Sequence, residues 1–372
     1  MNRRLFIKGT ALLSTTALVN PSFVFGNSST KNPFGIKEGV RKFSIVNNYK
    51  LQASDEVAQI WVPIPLDSNY QTLVDMSYKG NFETAKVVEN DYNTKVLYAS
   101  WKKGEKNPTL DINFEVMTKQ NFADLSKAKN DTNFSAEVKM FLEPTEHIPV
   151  TPKITELATS IIKDSKTQLE KAKAIYDWTV TTMYRDNSVI GCGIGDAGKS
   201  IEEKIYGGKC TDISSVFVAL LRNAGIPARE VFGIRAGKSK ISKVCGKADD
   251  KGFAKITAGQ HCRAEFYVSG LGWVPADPAD VTKVRLGEKL TNKSEKTIQT
   301  KEFMFGNWEM NWVAFNYARD FVLLPKPAQY PLNMLGYPYA EIGEDAQNYY
   351  DAKEFGYSYT SQERVWEKKT FQ

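Results

Sequence analysis

The sequence predicts an α+β protein in which an antiparallel, β-sandwich-like domain precedes a core of helices and strands. Three observations predict it. Residues 43–49, 57–64, 84–88, 94–101 and 109–117 are β-prone runs, and the last alternates Leu110, Ile112, Phe114 and Val116 with polar neighbours, as a half-buried strand requires. Residues 151–183 and 210–221 instead space their apolar residues three and four apart, the period of a helix face. Beyond them, residues 260–268 and 272–278 are two β-prone runs joined through Gly270, the pattern of an antiparallel pair.

Taken in order, Arg3-Arg4-Leu5-Phe6 and the apolar run from Ala11 to Val19 resemble a twin-arginine export signal cleaved after Gly26. That run is shorter than the roughly twenty residues of a membrane span. Residues 1–26 are therefore expected to be removed, the twin-arginine export machinery to be a partner, and the mature protein to be periplasmic or secreted. Residues 27–118 are the β-rich domain, with Asn81 and residues 102–108 supplying turns. Residues 119–150 are polar and irregular and read as a linker; His147 within it is given no role. The core spans 151–290. Thr151 caps a helix that starts at Pro152 and carries Ile154, Leu157, Ala158 and Ile161 on one face, and a second helix runs from about 167 to 183. A third begins at Cys210, follows Ile213, Val216, Phe217, Leu220 and Leu221, and stops at Gly225 ahead of Pro227. Residues 291–372 form an aromatic extension expected to pack on the core, with an aromatic cleft wall for an extended substrate as the alternative.

Cys210 is thereby placed in the first turn of a helix, whose N-terminus favours the thiolate, the nucleophilic form of cysteine. His261 lies in one of two paired strands and Asp277 falls with the other, so an imidazole and a carboxylate can meet across the pair. A nucleophilic cysteine needs such a base and a third group to hold it.

Gly208-Lys209-Cys210, Gly225-Ile226-Pro227-Ala228-Arg229, His261-Cys262-Arg263-Ala264-Glu265 and Gly272-Trp273-Val274-Pro275-Ala276-Asp277-Pro278 resemble the transglutaminase-like superfamily, over about residues 150–285. That superfamily shares its core with papain-type cysteine proteases. The resemblance implies a papain-like, transglutaminase-like catalytic core with Cys210 as nucleophile, His261 as general base and acid, and Asp277 orienting His261. The sequence departs from many bacterial members at Cys262, where they carry an aromatic residue. The expected activity is that of an exported cysteine enzyme acting on peptide or protein amide bonds in the cell envelope through an acyl-thioester on Cys210. Water is the expected acceptor, because no amine-binding feature is evident. Two alternatives stand beside this hydrolase: a protein-cross-linking transglutaminase, and a non-catalytic envelope binding protein, against which the intact triad argues.

Composition adds bounds. With 42% hydrophobic and 12% aromatic residues the chain can bury a sizeable core. Its 49 basic and 43 acidic residues are dispersed, and the net charge of +6 falls to +3 once Arg3, Arg4 and Lys8 leave with the signal, so no nucleic acid partner is expected. The four cysteines, Cys192, Cys210, Cys245 and Cys262, lack the C-x-x-C spacing of zinc sites, and neither metal nor cofactor is expected. Side-chain alternation puts Cys262 on the strand face opposite His261, buried behind it. Cys210 is expected to stay reduced, with Cys192 and Cys245 either both free or joined to each other.

Overall fold

The structure, a computed structural model, describes residues 32–364; the expected export signal at 1–26 lies outside the described residues. The chain enters through β1 (Val40–Lys50), β2 (Ala58–Pro63), β3 (Gln71–Gly80), β4 (Thr84–Asn90), β5 (Thr94–Trp101) and β6 (Thr109–Lys119). In β6 the alternation does what the sequence predicts, burying Leu110, Ile112, Phe114 and Val116 and leaving Asp111, Asn113 and Glu115 half-buried. β3 is not among the predicted strands. It is a sheet edge with mostly exposed side chains, so it carries no apolar alternation to read. Asn81 does make the turns: its Oδ1 accepts from Trp101 Nε1 at 2.9 Å and from the Thr109 N–H at 2.8 Å, tying two adjacent connections together.

Helices follow. α1 (Pro152–Ile162) starts where Thr151 Oγ1 accepts from the Ile154 N–H, and α2 (Gln168–Thr182) starts at a capping box of Thr167 and Glu170. α3 (Cys210–Asn223) is buried along nearly its whole length and ends ahead of Gly225, whose φ of 76° only glycine adopts at little cost. Then come β7 (Ala228–Arg235), β8 (Phe253–Lys255), β9 (Gln260–Val268), β10 (Gly272–Ala276), α4 (Pro278–Gly287) and β11 (Trp312–Asn316). Four of these strands make one sheet, in the order β10-β9-β7-β11, and α3 packs on it. That helix-on-sheet layer buries Phe217, Phe232, Ala264 and Phe266 and is the half of the fold that carries Cys210 and His261.

The rest of the chain returns to the N-terminal domain. β12 (Tyr339–Ile342) pairs with β2, placing Ala340 opposite Ile60, and adds β13 (Asp345–Ala346); β14 (Tyr357–Arg364) pairs with β1, placing Ser361 opposite Ile45. The sandwich is thus two five-stranded sheets, β8-β14-β1-β6-β3 and β13-β12-β2-β5-β4, sharing a core of Phe43, Ile45, Ile60, Val62, Leu97 and Phe114. The described part of the C-terminal extension, residues 291–364, lends β11 to the core sheet and strands β12, β13 and β14 to the two sheets of the sandwich. Within residues 119–150, read from the sequence as a linker, Phe134, Val138, Phe141 and Ile148 are buried and the Phe141 ring meets Trp273 edge-on at 5.1 Å.

Candidate active site

Cys210 opens α3, and the sequence around it folds to hold that helix end. Asp212 accepts from the Lys209 N–H through Oδ2 and from the Gly195 N–H through Oδ1, both at 2.8 Å, which draws the glycine-rich loop before α3 onto the helix N-terminus. A Cβ at Gly193, whose φ is 87°, would collide with the Asp212 carboxylate, so glycine is what lets the loop come this close. The Thr211 N–H donates to the Cys192 carbonyl at 2.9 Å. Intrahelical bonding leaves the Cys210 N–H unused at this end.

His261 is the second residue of β9, opposite Gly233 of β7, and its Nε2 lies 2.8 Å from Asp277 Oδ2. Asp277 stands one residue past the end of β10 rather than on it. There it caps α4, its Oδ1 accepting from the Asp280 N–H at 2.8 Å, so the same carboxylate holds both a helix and an imidazole. His261 also acts on the Cys210 thiol, lowering it by a hydrogen bond and by its charge, while the thiol itself donates to the Cys192 carbonyl at 4.0 Å. Because Nε2 faces Asp277, Nδ1 is the ring nitrogen left for sulfur. Cys210, His261 and Asp277 are 4%, 2% and 0% exposed, so their charges act with little solvent screening.

Sequence reasoning missed several groups around this trio. Asp280 Oδ2 lies 3.5 Å from His261 Nε2, and Arg235 grips the Asp280 carboxylate with two nitrogens, Nη1 at 2.8 Å. Arg263 Nε is 3.3 Å from Asp277 Oδ2, and its guanidinium lies 4.7 Å from the Trp312 ring centre. The aromatic tail backs the site: Trp312 Nε1 donates to the His261 carbonyl and Trp308 Nε1 to the Ala276 carbonyl, both at 3.0 Å. Asp280 did have a local signal, since Asp277-Pro278-Ala279-Asp280 is an N-cap followed by an acid in the first turn. Arg235, Trp308 and Trp312 act across long sequence separations and had none.

All four cysteines are free and buried. The sulfurs of Cys192, Cys210 and Cys262 lie within 4.8 Å of one another. Cys192 is therefore free rather than joined to Cys245; Tyr337 Oη donates to its sulfur at 3.2 Å, while the Cys245 carbonyl accepts from Arg235 on the carboxylate side of the site. Cys262 is buried as alternation requires, but the face it occupies is not remote from the chemistry. It is the face under α3, where Cys262 Sγ meets Thr211 Oγ1 at 3.0 Å. His147 pairs through Nδ1 with Asp320, a partner far along the chain.

These neighbours set the charge states. The Cys210 thiol is held well below its usual range, first by a hydrogen bond from Cys192 and then by one from Cys262; burial opposes them, and the hydrogen bond and charge of His261 add to them. Cys192 is pushed up chiefly because its proton is held on Cys210, and Cys262 chiefly by burial. For His261, burial and Arg235 pull downward, but Asp280 and Asp277 together outweigh them and raise it. Asp280 is buried, which by itself would raise it, yet Arg235 holds it well below the usual carboxylate range. A lowered thiol beside a raised imidazole favours a thiolate–imidazolium pair.

Residues 155–278 match the model of the transglutaminase-like superfamily. A Haemophilus influenzae protein, itself uncharacterized, is 44% identical over 322 residues, 83% of this chain and 87% of that protein. The uncharacterized protein YebA of Bacillus subtilis is 25% identical over 175 residues, 46% of this chain and 23% of that protein. Among solved structures, a "Putative Cysteine Protease" from Cytophaga hutchinsonii aligns with a TM-score of 0.53 at 15% identity, covering 88% of this chain and 89% of that one, a likeness of fold. The chain thus carries a transglutaminase-like domain within residues 155–278.

Proposed function

We propose that this protein is an exported cysteine hydrolase of amide bonds in peptides or proteins of the cell envelope. The observation that supports the reading most is a buried Cys210 at the start of α3, with its thiol depressed beside a His261 whose far nitrogen is held by Asp277. The Cys210 thiolate attacks the amide carbonyl carbon, and the displaced electron pair moves to oxygen. On this reading the Cys210 N–H, which the helix leaves unused, donates to that oxyanion. Collapse breaks the C–N bond as imidazolium passes its Nδ1 proton to the leaving amine. Neutral His261 then takes a proton from water, hydroxide adds to the thioester, and expulsion of sulfur releases the acid and restores thiolate and imidazolium. Asp277, with Asp280 behind it, fixes the ring and stabilises its charged form. Export is supported by Arg3-Arg4-Leu5-Phe6 and the short apolar run that follows.

The test is to incubate the mature chain with envelope peptides and a labelled amine, and to follow products by mass spectrometry. The proposal expects an acyl adduct on Cys210 and release of peptide acids. Incorporation of the amine instead would make it a transglutaminase, and absence of any Cys210 adduct would leave a binding protein. Replacing Arg3 and Arg4 with Lys should retain precursor in the cytoplasm, because guanidinium and ammonium are not interchangeable in such recognition; unaltered export would assign the ordinary secretory route.

A further inference from the structure

Acyl transfer needs one sulfur, and this site presents three. Cys192 comes from the loop before α3, Cys210 from the helix start and Cys262 from β9, so the fold and not the sequence spacing gathers them. We propose that Cys192, Cys210 and Cys262 form a three-sulfur site for a soft, thiophilic monovalent cation, of which copper(I) is the type case.

Geometry, donor chemistry and surroundings agree. Three sulfurs bound in a plane at about 2.3 Å from a central ion stand about 4.0 Å apart. The three sulfurs here are all within 4.8 Å of one another, so closure onto an ion asks for about 1 Å of movement or less. The group contains no oxygen ligand; the nearby carboxylates Asp277 and Asp280 gather separately around His261. An all-sulfur set selects soft ions over magnesium or calcium. Tyr337 Oη and Thr211 Oγ1 already hydrogen-bond the sulfurs of Cys192 and Cys262, the kind of outer contact that orients metal ligands. As each metal–sulfur bond forms, a thiol proton leaves for solvent, a sulfur already ionised losing none, and no electron is transferred. The imidazolium of His261 and the α3 N-terminus offset part of the negative charge that remains. Given the hydrolase reading above, a bound ion removes the nucleophile and silences the enzyme reversibly.

The test uses the full mature chain, reduced and anaerobic, titrated with copper(I) in competition with bicinchoninate. One copper per chain should be withdrawn from the chelator, and X-ray absorption should find three sulfur neighbours at about 2.3 Å. Cys192→Ser and Cys262→Ser should each weaken binding by more than about 100-fold, the upper cost of losing a mere outer-shell partner; Cys245→Ser should leave it unchanged. No withdrawal of copper, or fewer than three sulfurs around it, overturns the proposal, and the absorption measurement on unaltered protein decides the matter if a variant fails to fold. Turnover is read separately. Copper binding by a protein without turnover would refute the hydrolase and not the metal site; turnover without copper binding would do the reverse.

Discussion

The two sides of the His261 ring are built from different chemistry. On the Nε2 side stand two carboxylates, Asp277 and Asp280, against two guanidiniums, Arg263 and Arg235, all buried. On the other side are three sulfurs with hydroxyl neighbours and no formal charge until Cys210 ionises. The four formal charges sum to zero, yet Asp280 and Asp277 together outweigh burial and Arg235 at the ring and raise the imidazole. Buried charge is tolerable only when paired in this way. The charged side therefore fixes where the ring points and keeps it protonated, while the sulfur side sets how readily Cys210 ionises.

On the proposed hydrolysis, removing the Cys210 sulfur should have the largest effect. Cys210→Ala is expected to lower kcat/KM by about 10⁴-fold or more with little change in melting temperature, checked by steady-state kinetics beside a thermal melt. Full activity in that variant would end the account. On the charged side, Asp277→Asn should cost about 10²- to 10⁴-fold, mostly in kcat, because orientation of the imidazole matters during proton transfer. A change confined to KM would show instead that Asp277 serves binding.

Asp280→Asn separates orientation from charge. It leaves Arg235 buried without its partner, an expected loss of about 3–5 kcal/mol in stability measured by denaturant unfolding. It also removes one of the two groups that raise His261, so the alkaline limb of the pH–rate profile should move to lower pH. The signs follow from the shifts. Activity rises as pH passes upward through the lowered Cys210 value and falls as it passes through the raised His261 value. For stability, a raised His261 contributes fully below its ordinary value of 6.5, and that contribution is lost as pH rises through the native value. The depressed Asp280 contributes above the ordinary carboxylate range and loses that contribution only as pH falls through its low native value. A profile unchanged by Asp280→Asn would confine Asp280 to a structural role.

The smallest effect is expected from Cys192→Ala, which removes one hydrogen-bond donor to the Cys210 thiolate. The acid limb should move to higher pH, with a rate loss of about tenfold on that side and little change near the optimum. No displacement of that limb would place the control of ionisation with His261 and the helix end.

What could be read from the sequence divides along the same line. Cys210, His261 and Asp277 each sit in a local pattern: a helix start, a strand and a strand end. Thr151, Thr167 and Gly225 announce helix boundaries by capping chemistry that needs no distant partner. Cys192 and Cys262 carry no local pattern that joins them to Cys210, because the loop before α3 and strand β9 meet only in the folded chain. Arg235 and Trp312 were silent for the same reason. The tail strands β12 and β14 escaped notice because their buried positions are Tyr339, Ala340 and Glu341 in one and Tyr357, Tyr359 and Ser361 in the other, with no aliphatic alternation to read. Local chemistry was legible; chemistry assembled by topology was not.

The most direct test of the account is the pH dependence of Cys210 alkylation by iodoacetamide in the native protein, followed by peptide mapping of all four cysteines. Cys210 should react in preference to Cys192, Cys245 and Cys262, with a rate that tracks ionisation well below the ordinary cysteine value of about 8.5. A Cys210 that ionises at or above that value, or that reacts no faster than buried Cys245, would contradict the claim that this fold makes Cys210 a nucleophile.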